Sequence, residues 1–229
     1  MKISILQQVA GAKKARGLTV IIDVFRAFTV EAWLSEKGAG RILPVGDIQT
    51  AFDYRNQHPD ALLCGERGGK MVEGFDMGNS PAQASQMALW GKTVVHTTSA
   101  GTQGIANAKD AEEIIGGALV NAKAIAEYIR RRDPAQVSLV CMGLNGTQPT
   151  DEDTLCARYI MSLLENRPLR DMEAQLARLK ETSGAKFFDP AQQDVFPEPD
   201  FHLCVQLDRF DFVLRYDRES GQMVREELA

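Results

Sequence analysis

The sequence predicts an α/β fold with three layers (α/β/α), in which helices cover both faces of a mostly parallel or mixed sheet. Two observations support this prediction. Short apolar runs rich in Val, Ile and Leu, bounded by turn residues, have the character of buried strands. Segments with helical periodicity lie between these runs, and strands that alternate with helices form βαβ units around a parallel sheet.

The predicted elements follow one another in a regular order. The apolar runs predict six strands, at residues 18–24, 41–45, 61–64, 92–96, 113–115 and 136–142. Apolar residues spaced i, i+3, i+4, i+7 predict helices through residues 122–129 and 156–163, and residues 171–180 form another amphipathic pattern. Near the C-terminus, residues 196–199 are predicted to be stiff and extended, and residues 201–216 to form a hairpin.

The order and spacing of these elements recur between about residues 18–80 and 92–165. Residue identity between the two segments is low, so a duplication of two βαβαβ halves and a chance similarity both stay open. A duplication would place equivalent loops at the same edge of the sheet. No linker or low-complexity segment is visible, so residues 1–229 are predicted to form a single unit.

Composition excludes several classes of function. The chain has 229 residues, 44% of them hydrophobic, and a formal net charge of −5, which disfavours nucleic-acid binding because phosphate neutralisation needs a basic face. The basic run 130–132 is interpreted as a helix C-terminus. No apolar run approaches the ~20 residues of a membrane span. Four cysteines without metal-ligand spacing predict buried free thiols in a reducing compartment, and hence a cytoplasmic protein.

Ligands of a parallel α/β sheet bind beyond the carboxyl ends of the strands, and four loops follow such predicted ends. In the first loop, Asp23 ends a strand, and Arg26 and Thr29 open the next helix. A carboxylate there can bind a hard cation, and an arginine can hold phosphate. The alternative is structural, with Asp23 capping the helix and pairing with Arg26.

The second loop is rich in glycine and runs from residue 65 to residue 81. Glu66 and Arg67 directly follow the strand end, and Asn79 lies near the end of the loop. Ordering so many glycines is costly in chain entropy, which favours a binding loop over a simple connector. A long excursion of tight turns is the alternative.

The third and fourth loops carry hydroxyls and acids. Thr97, Thr98, Gly101 and Thr102 could hold an anion by hydroxyl and amide donors, or could simply cap a helix. In the fourth loop, Thr150 and Asp153 have the spacing of a capping box. The acids at 151–153 could also supply oxygens to a metal.

Together the loops suit a divalent cation with a phosphate ester. The Cys-x5-Arg loop of enzymes that form a cysteine–phosphate intermediate is absent, and no Gly-x-Ser-x-Gly nucleophile elbow occurs. The Asp-x-Asp pair of enzymes that form an aspartyl-phosphate is also absent, because Val24 and Phe25 follow Asp23. His58 is predicted at the surface, and His96 and His202 in strands, none with metal-ligand spacing. These exclusions leave direct attack by a metal-activated water.

At the same loops the chain resembles the 2-phosphosulfolactate phosphatase family. The matching motifs are IDVFRAFT at 22–29, GERGG at 65–69, GFDMGNSP at 74–81, TTSAGT at 97–102 and EDTLCA at 152–157. The resemblance implies Mg²⁺-dependent hydrolysis of 2-phospho-3-sulfolactate, which serves coenzyme M biosynthesis in methanogens. Phe28 and Ala100 depart from the family pattern and put the particular substrate in doubt.

The predicted site combines these observations. The predicted catalytic residues are Asp23, Arg26, Glu66, Arg67 and Asp153. The three acids, Asp23, Glu66 and Asp153, would bind Mg²⁺. The two arginines would hold the phosphate and a second anionic group. Substrate binding falls to Thr29, Asn79, Thr97, Thr98, Gly101 and Thr102. The alternatives are a phospho-ligand binding protein without catalysis and a phosphatase of the same fold for another metabolite. A homodimer is expected, because closed symmetric pairs are the commonest assemblies.

Overall fold

The computed structural model describes residues 1–228 and builds them around one mixed sheet. The strand order across this sheet is β1-β8-β2-β7-β9-β10-β3-β6-β4-β5. In chain order the strands are β1 Lys2–Gln7, β2 Gly17–Ile22, β3 Arg41–Pro44, β4 Leu62–Arg67, β5 Lys70–Met71, β6 Thr93–Thr97, β7 Ala111–Gly117, β8 Gln136–Cys141, β9 Phe212–Asp217 and β10 Gln222–Glu227. The six predicted strands correspond to β2, β3, β4, β6, β7 and β8.

Helices cover both faces of the sheet. They are α1 Gln8–Ala12, α2 Ala27–Glu36, α3 Ile48–Gln57, α4 Pro81–Gln86, α5 Gly101–Asn107, α6 Ala122–Arg132, α7 Asp151–Leu164, α8 Met172–Leu179 and α9 Glu198–Cys204. Strand β2 shows why two layers are needed: Leu18, Val20 and Ile22 pack into one apolar cluster, whereas Ile21 packs into another on the opposite face. The predicted three-layer α/β architecture is confirmed.

The sheet contains two parallel sets that are separated by a hairpin. Strands β1, β8, β2 and β7 are parallel, as are β3, β6 and β4. The hairpin β9–β10 pairs antiparallel with both sets, so the two sets run in opposite directions. Strand β2 lies between β7 and β8, and β6 lies between β3 and β4.

The strand order interleaves the two predicted halves of the chain. The first strand of each half, β2 or β6, lies between the second and third strands of the other half. The carboxyl ends of β2 and β4 nevertheless approach each other, although six steps across the sheet separate these strands. The duplication itself stays a prediction.

The C-terminal region differs from the prediction. Residues 201–204 belong to α9, and the hairpin begins only at Phe212. Pro197 is the extended N-cap of α9, and Pro199 lies in its first turn, where proline is tolerated. The predicted extended segment therefore opens a helix, and the prediction that His202 lies in a strand was wrong, because it is exposed on α9. Strand β1, half-buried at the sheet edge, was not predicted.

Other predictions of local structure are confirmed. His96 lies in β6 and His58 is exposed, the four cysteines are buried free thiols, and the basic run ends α6. Among residues 1–228, no helix is both long enough and apolar enough to cross a bilayer.

Candidate active site

A cavity of about 260 Å³ lies where the loops after β2, β4, β6 and β8 meet. Its walls include three carboxylates, two cationic groups, two amides and two hydroxyls, contributed by Asp23, Glu66, Glu152, Arg26, Lys186, Asn79, Asn145, Ser99 and Thr150. The four loops that the sequence singled out therefore come together, with Lys186 added from a short 3₁₀ helix, Ala185–Phe188.

Two glycines allow the loops to approach closely. Gly65 has φ +151°, and a Cβ there would lie 2.1 Å from the carbonyl oxygen of Thr97 in the neighbouring strand. At Gly101, which begins α5, a Cβ would lie 2.7 Å from that of Ala27 and 3.0 Å from Oδ2 of Asp23. Any larger residue at these positions would push the loops apart.

Asp23 is a buried carboxylate at the centre of this arrangement, only 6% exposed. Its Oδ1 accepts a hydrogen bond from the backbone N–H of Ala27 at 3.3 Å, as the capping alternative predicted. Burial, together with repulsion from Glu66 and Glu152, raises the pKa of Asp23 to about 6. A cation bound beside Asp23 would relieve both effects.

Glu66 joins the second loop to the third. One oxygen accepts from the backbone N–H of Ser99 at 2.7 Å, and the other accepts from that of Gly69 at 2.6 Å and from the Ser99 hydroxyl at 3.1 Å. Each carboxylate oxygen has further lone pairs, so Glu66 can also face a cation in the cavity.

Asp153, a predicted metal ligand, lies below the cavity wall and is 2% exposed. Its two oxygens accept from the backbone N–H groups of Val24 at 2.9 Å and Gly143 at 2.7 Å. It therefore fastens the loop after β2 to the loop after β8. The predicted capping box is wrong: Thr150 occupies the N-cap position of α7, but its side chain caps nothing.

Glu152 is the acid of this run that lines the cavity. Its Oε2 and the Thr150 hydroxyl are buried and lack hydrogen-bond partners among the described residues. Burial raises the pKa of Glu152, and nearby Lys186 opposes that rise. Sequence reasoning considered the whole run 151–153 but selected Asp153. Successive helical residues point about 100° apart, and only the tertiary structure shows which one faces the cavity.

The two predicted phosphate-binding arginines already have protein partners. Arg26 is 3% exposed and donates to Asp200 at 2.9 Å, to the carbonyl of Val195 at 3.0 Å and to that of Gly69 at 3.1 Å. It borders the cavity and holds three segments of its wall together. The alternative pairing of Arg26 with Asp23 is replaced by the pair with Asp200.

Arg67 lies in an adjoining open groove of about 580 Å³, which shares Gly68, Ser99 and Asn145 with the cavity. Its guanidinium donates to the Thr97 hydroxyl at 2.8 Å and to the carbonyl of Glu66 at 2.6 Å. Arg67 is thus placed beside the cavity, where it could meet a more distant part of a ligand.

Lys186 is a cation that the sequence analysis missed. It lines the cavity, and its ammonium lies over the Phe187 and Phe196 rings, with no salt bridge within 4.0 Å among the described residues. Burial lowers the pKa of Lys186, and the negative charge of Glu152 opposes this effect. It follows no strand end and belongs to no recognisable motif, so no local signal marked it.

None of the predicted threonine ligands, Thr29, Thr97, Thr98 and Thr102, lines the cavity; all four are buried, and Thr98 borders the adjoining groove. Thr29 is fully buried and donates to the carbonyl of Val24 at 2.9 Å. Thr98 and Thr102 exchange hydrogen bonds with each other's backbone N–H groups, in the manner of the capping alternative. Asn79, a predicted ligand, lines the cavity, and so does Ser99, which the sequence analysis did not select.

The donor set fits Mg²⁺. No cluster of three or more His, Cys, Asp or Glu side chains within residues 1–228 forms a preformed metal cage. Mg²⁺ is usually bound by one or two carboxylates, with water and substrate phosphate completing the octahedron. Asp23 and Glu152, which both line the cavity, provide hard oxygens of this kind.

Comparison with known proteins assigns the chain. A family model described as 2-phosphosulpholactate phosphatase matches residues 4–219. The chain belongs to this family. A Carboxydothermus hydrogenoformans protein named "Probable 2-phosphosulfolactate phosphatase" is 34% identical over 99% of this chain and 98% of its own length. A Bacillus subtilis protein with the same name is 28% identical over 96% of both chains.

A third relative, from Caldicellulosiruptor saccharolyticus, carries the same name and is 42% identical over 65% of this chain and 63% of its own length. The predicted family and the predicted enzyme class, a phosphoric monoester hydrolase, are confirmed by these matches.

Proposed function

We propose that the protein hydrolyses 2-phospho-3-sulfolactate to 3-sulfolactate and phosphate in a Mg²⁺-dependent reaction. The observation that carries this proposal is the cavity itself, in which three carboxylates and Lys186 surround a space open to a groove with Arg67. The names of the full-length relatives support the substrate. We also propose that it acts in the cytoplasm as a homodimer and that its reaction serves coenzyme M biosynthesis.

The residues have separate tasks in this proposal. Asp23 and Glu152 would hold Mg²⁺, with Glu66 beside them, and the ion would supply a nucleophilic hydroxide and polarise the phosphoryl group. Lys186 would neutralise charge on the phosphoryl oxygens. Arg67, in the adjoining groove, would face the sulfonate or carboxylate of the substrate.

Phe28 and Ala100, the two departures from the family pattern, differ in whether they can contact a ligand. Phe28 is 1% exposed and packs in the core against Gly116, so it does not touch a ligand. Ala100 lines the cavity and offers no side-chain amide there. A difference in substrate preference would therefore arise at Ala100.

The direct test measures phosphate release from racemic 2-phospho-3-sulfolactate with Mg²⁺ and with EDTA, alongside other small phosphoesters. We expect release with Mg²⁺ and none above background with EDTA. Preference for another ester would indicate a phosphatase for a different metabolite. Tight binding of the ester by calorimetry without product would indicate a binding protein. Light scattering would test the dimer.

Lys186→Met is expected to lower kcat/KM by about 100-fold, because the substitution removes a cation from the place where phosphoryl charge develops. Methionine keeps the length and the apolar contacts of the side chain, so thermal stability should change little. Lys123→Met, an exposed position on α6, is the matched control and should keep wild-type kinetics. Equal kcat/KM in the two variants would remove Lys186 from the site.

A further inference from the structure

Asn79 connects the cavity to a polar chain that runs into the core. Its Oδ1 lies 3.1 Å from Nε2 of His96, and Nδ1 of His96 lies 2.9 Å from Oε1 of Glu31. His96 in β6 and Glu31 in α2 are both 0% exposed, and Asn79 is 5% exposed. The proposed chemistry does not use His96 or Glu31.

The charge of the imidazole determines which end of the Asn79 amide it can hold. A carboxylate only accepts, so Nδ1 of His96 donates to Glu31. A neutral ring then has a lone pair at Nε2 and would bind the amide nitrogen of Asn79. A charged ring donates from Nε2 and binds the amide oxygen.

Several observations favour the charged ring. The Asn79 oxygen faces Nε2, and Glu31 has no Lys or Arg partner among the described residues, so its buried charge needs His96 as counterion. The other titratable group against the ring is Cys64. Burial lowers the pKa of His96, whereas the contacts with Cys64 and Glu31 raise it.

We propose that Glu31 and His96 are positioning residues that hold Asn79 with its amide NH₂ toward the cavity, as a donor to an anionic oxygen of the ligand. Nδ2 of Asn79 makes no hydrogen bond within residues 1–228, and Asn79 lines the cavity. With the opposite orientation the amide oxygen would face the ligand and repel an anion. This inference rests on the proposed function for the identity of the ligand.

The test is a double-mutant cycle on phosphate release from 2-phospho-3-sulfolactate with Mg²⁺. Glu31→Gln keeps the shape and an acceptor oxygen but removes the charge, so His96 becomes neutral and the amide turns. We expect KM to rise about 10- to 100-fold, which corresponds to the loss of a hydrogen bond to a charged group. Asn79→Ala should raise KM similarly.

The double variant distinguishes positioning from general destabilisation. If Glu31 acts through Asn79, Glu31→Gln should not raise KM further in the Asn79→Ala background. Thr19→Val, an isosteric change at a fully buried polar residue of β2, is the control and should leave KM unchanged. Additive effects in the cycle would overturn the inference.

An activity-independent readout separates this inference from the proposed function. The ¹⁵N shifts of the His96 ring should show both nitrogens protonated at pH 7.5 in the wild type, and one in Glu31→Gln. A neutral ring in the wild type would overturn the inference even in an active enzyme. A charged ring in a wild type that hydrolyses no ester would support the orientation and overturn only the proposed function.

Discussion

Asp23→Asn is expected to abolish Mg²⁺-dependent phosphate release and, in EDTA, to stabilise the fold. The activity is lost because the amide removes the negative charge that the cation needs. The stability rises because the carboxylate is buried beside Glu66 and Glu152. Functional sites commonly contain such local destabilisation, which a ligand relieves.

The pH dependence follows from the direction of this shift. The pKa of Asp23 rises from an ordinary 3.8 to about 6 on folding, so the native state binds its proton more tightly than the unfolded state. The contribution of Asp23 to the free energy of unfolding therefore falls as pH rises from about 4 through 6, by ~3 kcal/mol at most. Urea unfolding in EDTA should show the advantage of Asp23→Asn at pH 8 and little difference at pH 4.

The control for Asp23 is Asp53→Asn, an exposed position in α3, which should change neither activity nor stability. In the wild type, Mg²⁺ affinity should fall as the pH is lowered through about 6, because Asp23 must lose its proton to bind the ion. Near-wild-type turnover and Mg²⁺ dependence in Asp23→Asn would show that Asp23 is not a ligand.

The second large effect is expected at the buried pair of Arg26 and Asp200, whose side chains are 4% and 0% exposed. Asp200→Ala should lower the free energy of unfolding by about 3–5 kcal/mol, because it leaves Arg26 charged and without its carboxylate. Asp200 also accepts from the Ser80 hydroxyl at 2.6 Å and the backbone N–H of Ala82 at 3.0 Å. The loop that carries Asn79 should therefore loosen and activity should fall.

Urea unfolding and phosphate release measure the two parts of this prediction. Asp110→Ala is the control, since it breaks the exposed pair with Arg16 (48% and 59% exposed) and should cost less than about 1 kcal/mol. The double variant Arg26→Met/Asp200→Leu should recover part of the lost stability without activity. A loss at Asp200 no larger than at Asp110 would contradict this account of the pair.

Much of the fold and part of the site were predictable because their signals are local. Apolar runs of strand length locate β2, β3, β4, β6, β7 and β8, since burial on both faces requires continuous apolar sequence. The ends of four of these strands and the loops after them carry most of the residues that line the cavity, including Asp23, Glu66 and Asn79. The family motifs lie in the same loops.

Other features could not be predicted because they depend on contacts between distant segments. Lys186 enters the cavity from a segment after α8, and Asp200 reaches Arg26 across 174 positions of the sequence. Neither has a neighbouring motif that marks it. The choice of Glu152 over Asp153 depends on how α7 is rotated against the sheet, and the two acids are equivalent in the sequence pattern.

The sequence by itself therefore determined the strands, the loops that follow them and the kinds of donors they carry, because hydrophobic periodicity and turn chemistry act over a few residues. Only the tertiary structure decided that β2 and β6 are each inserted into the other half's set of strands, and that four loops from opposed sets meet at one cavity. Strand partners and helix rotation are selected by packing between distant segments, for which a single sequence carries no local signal.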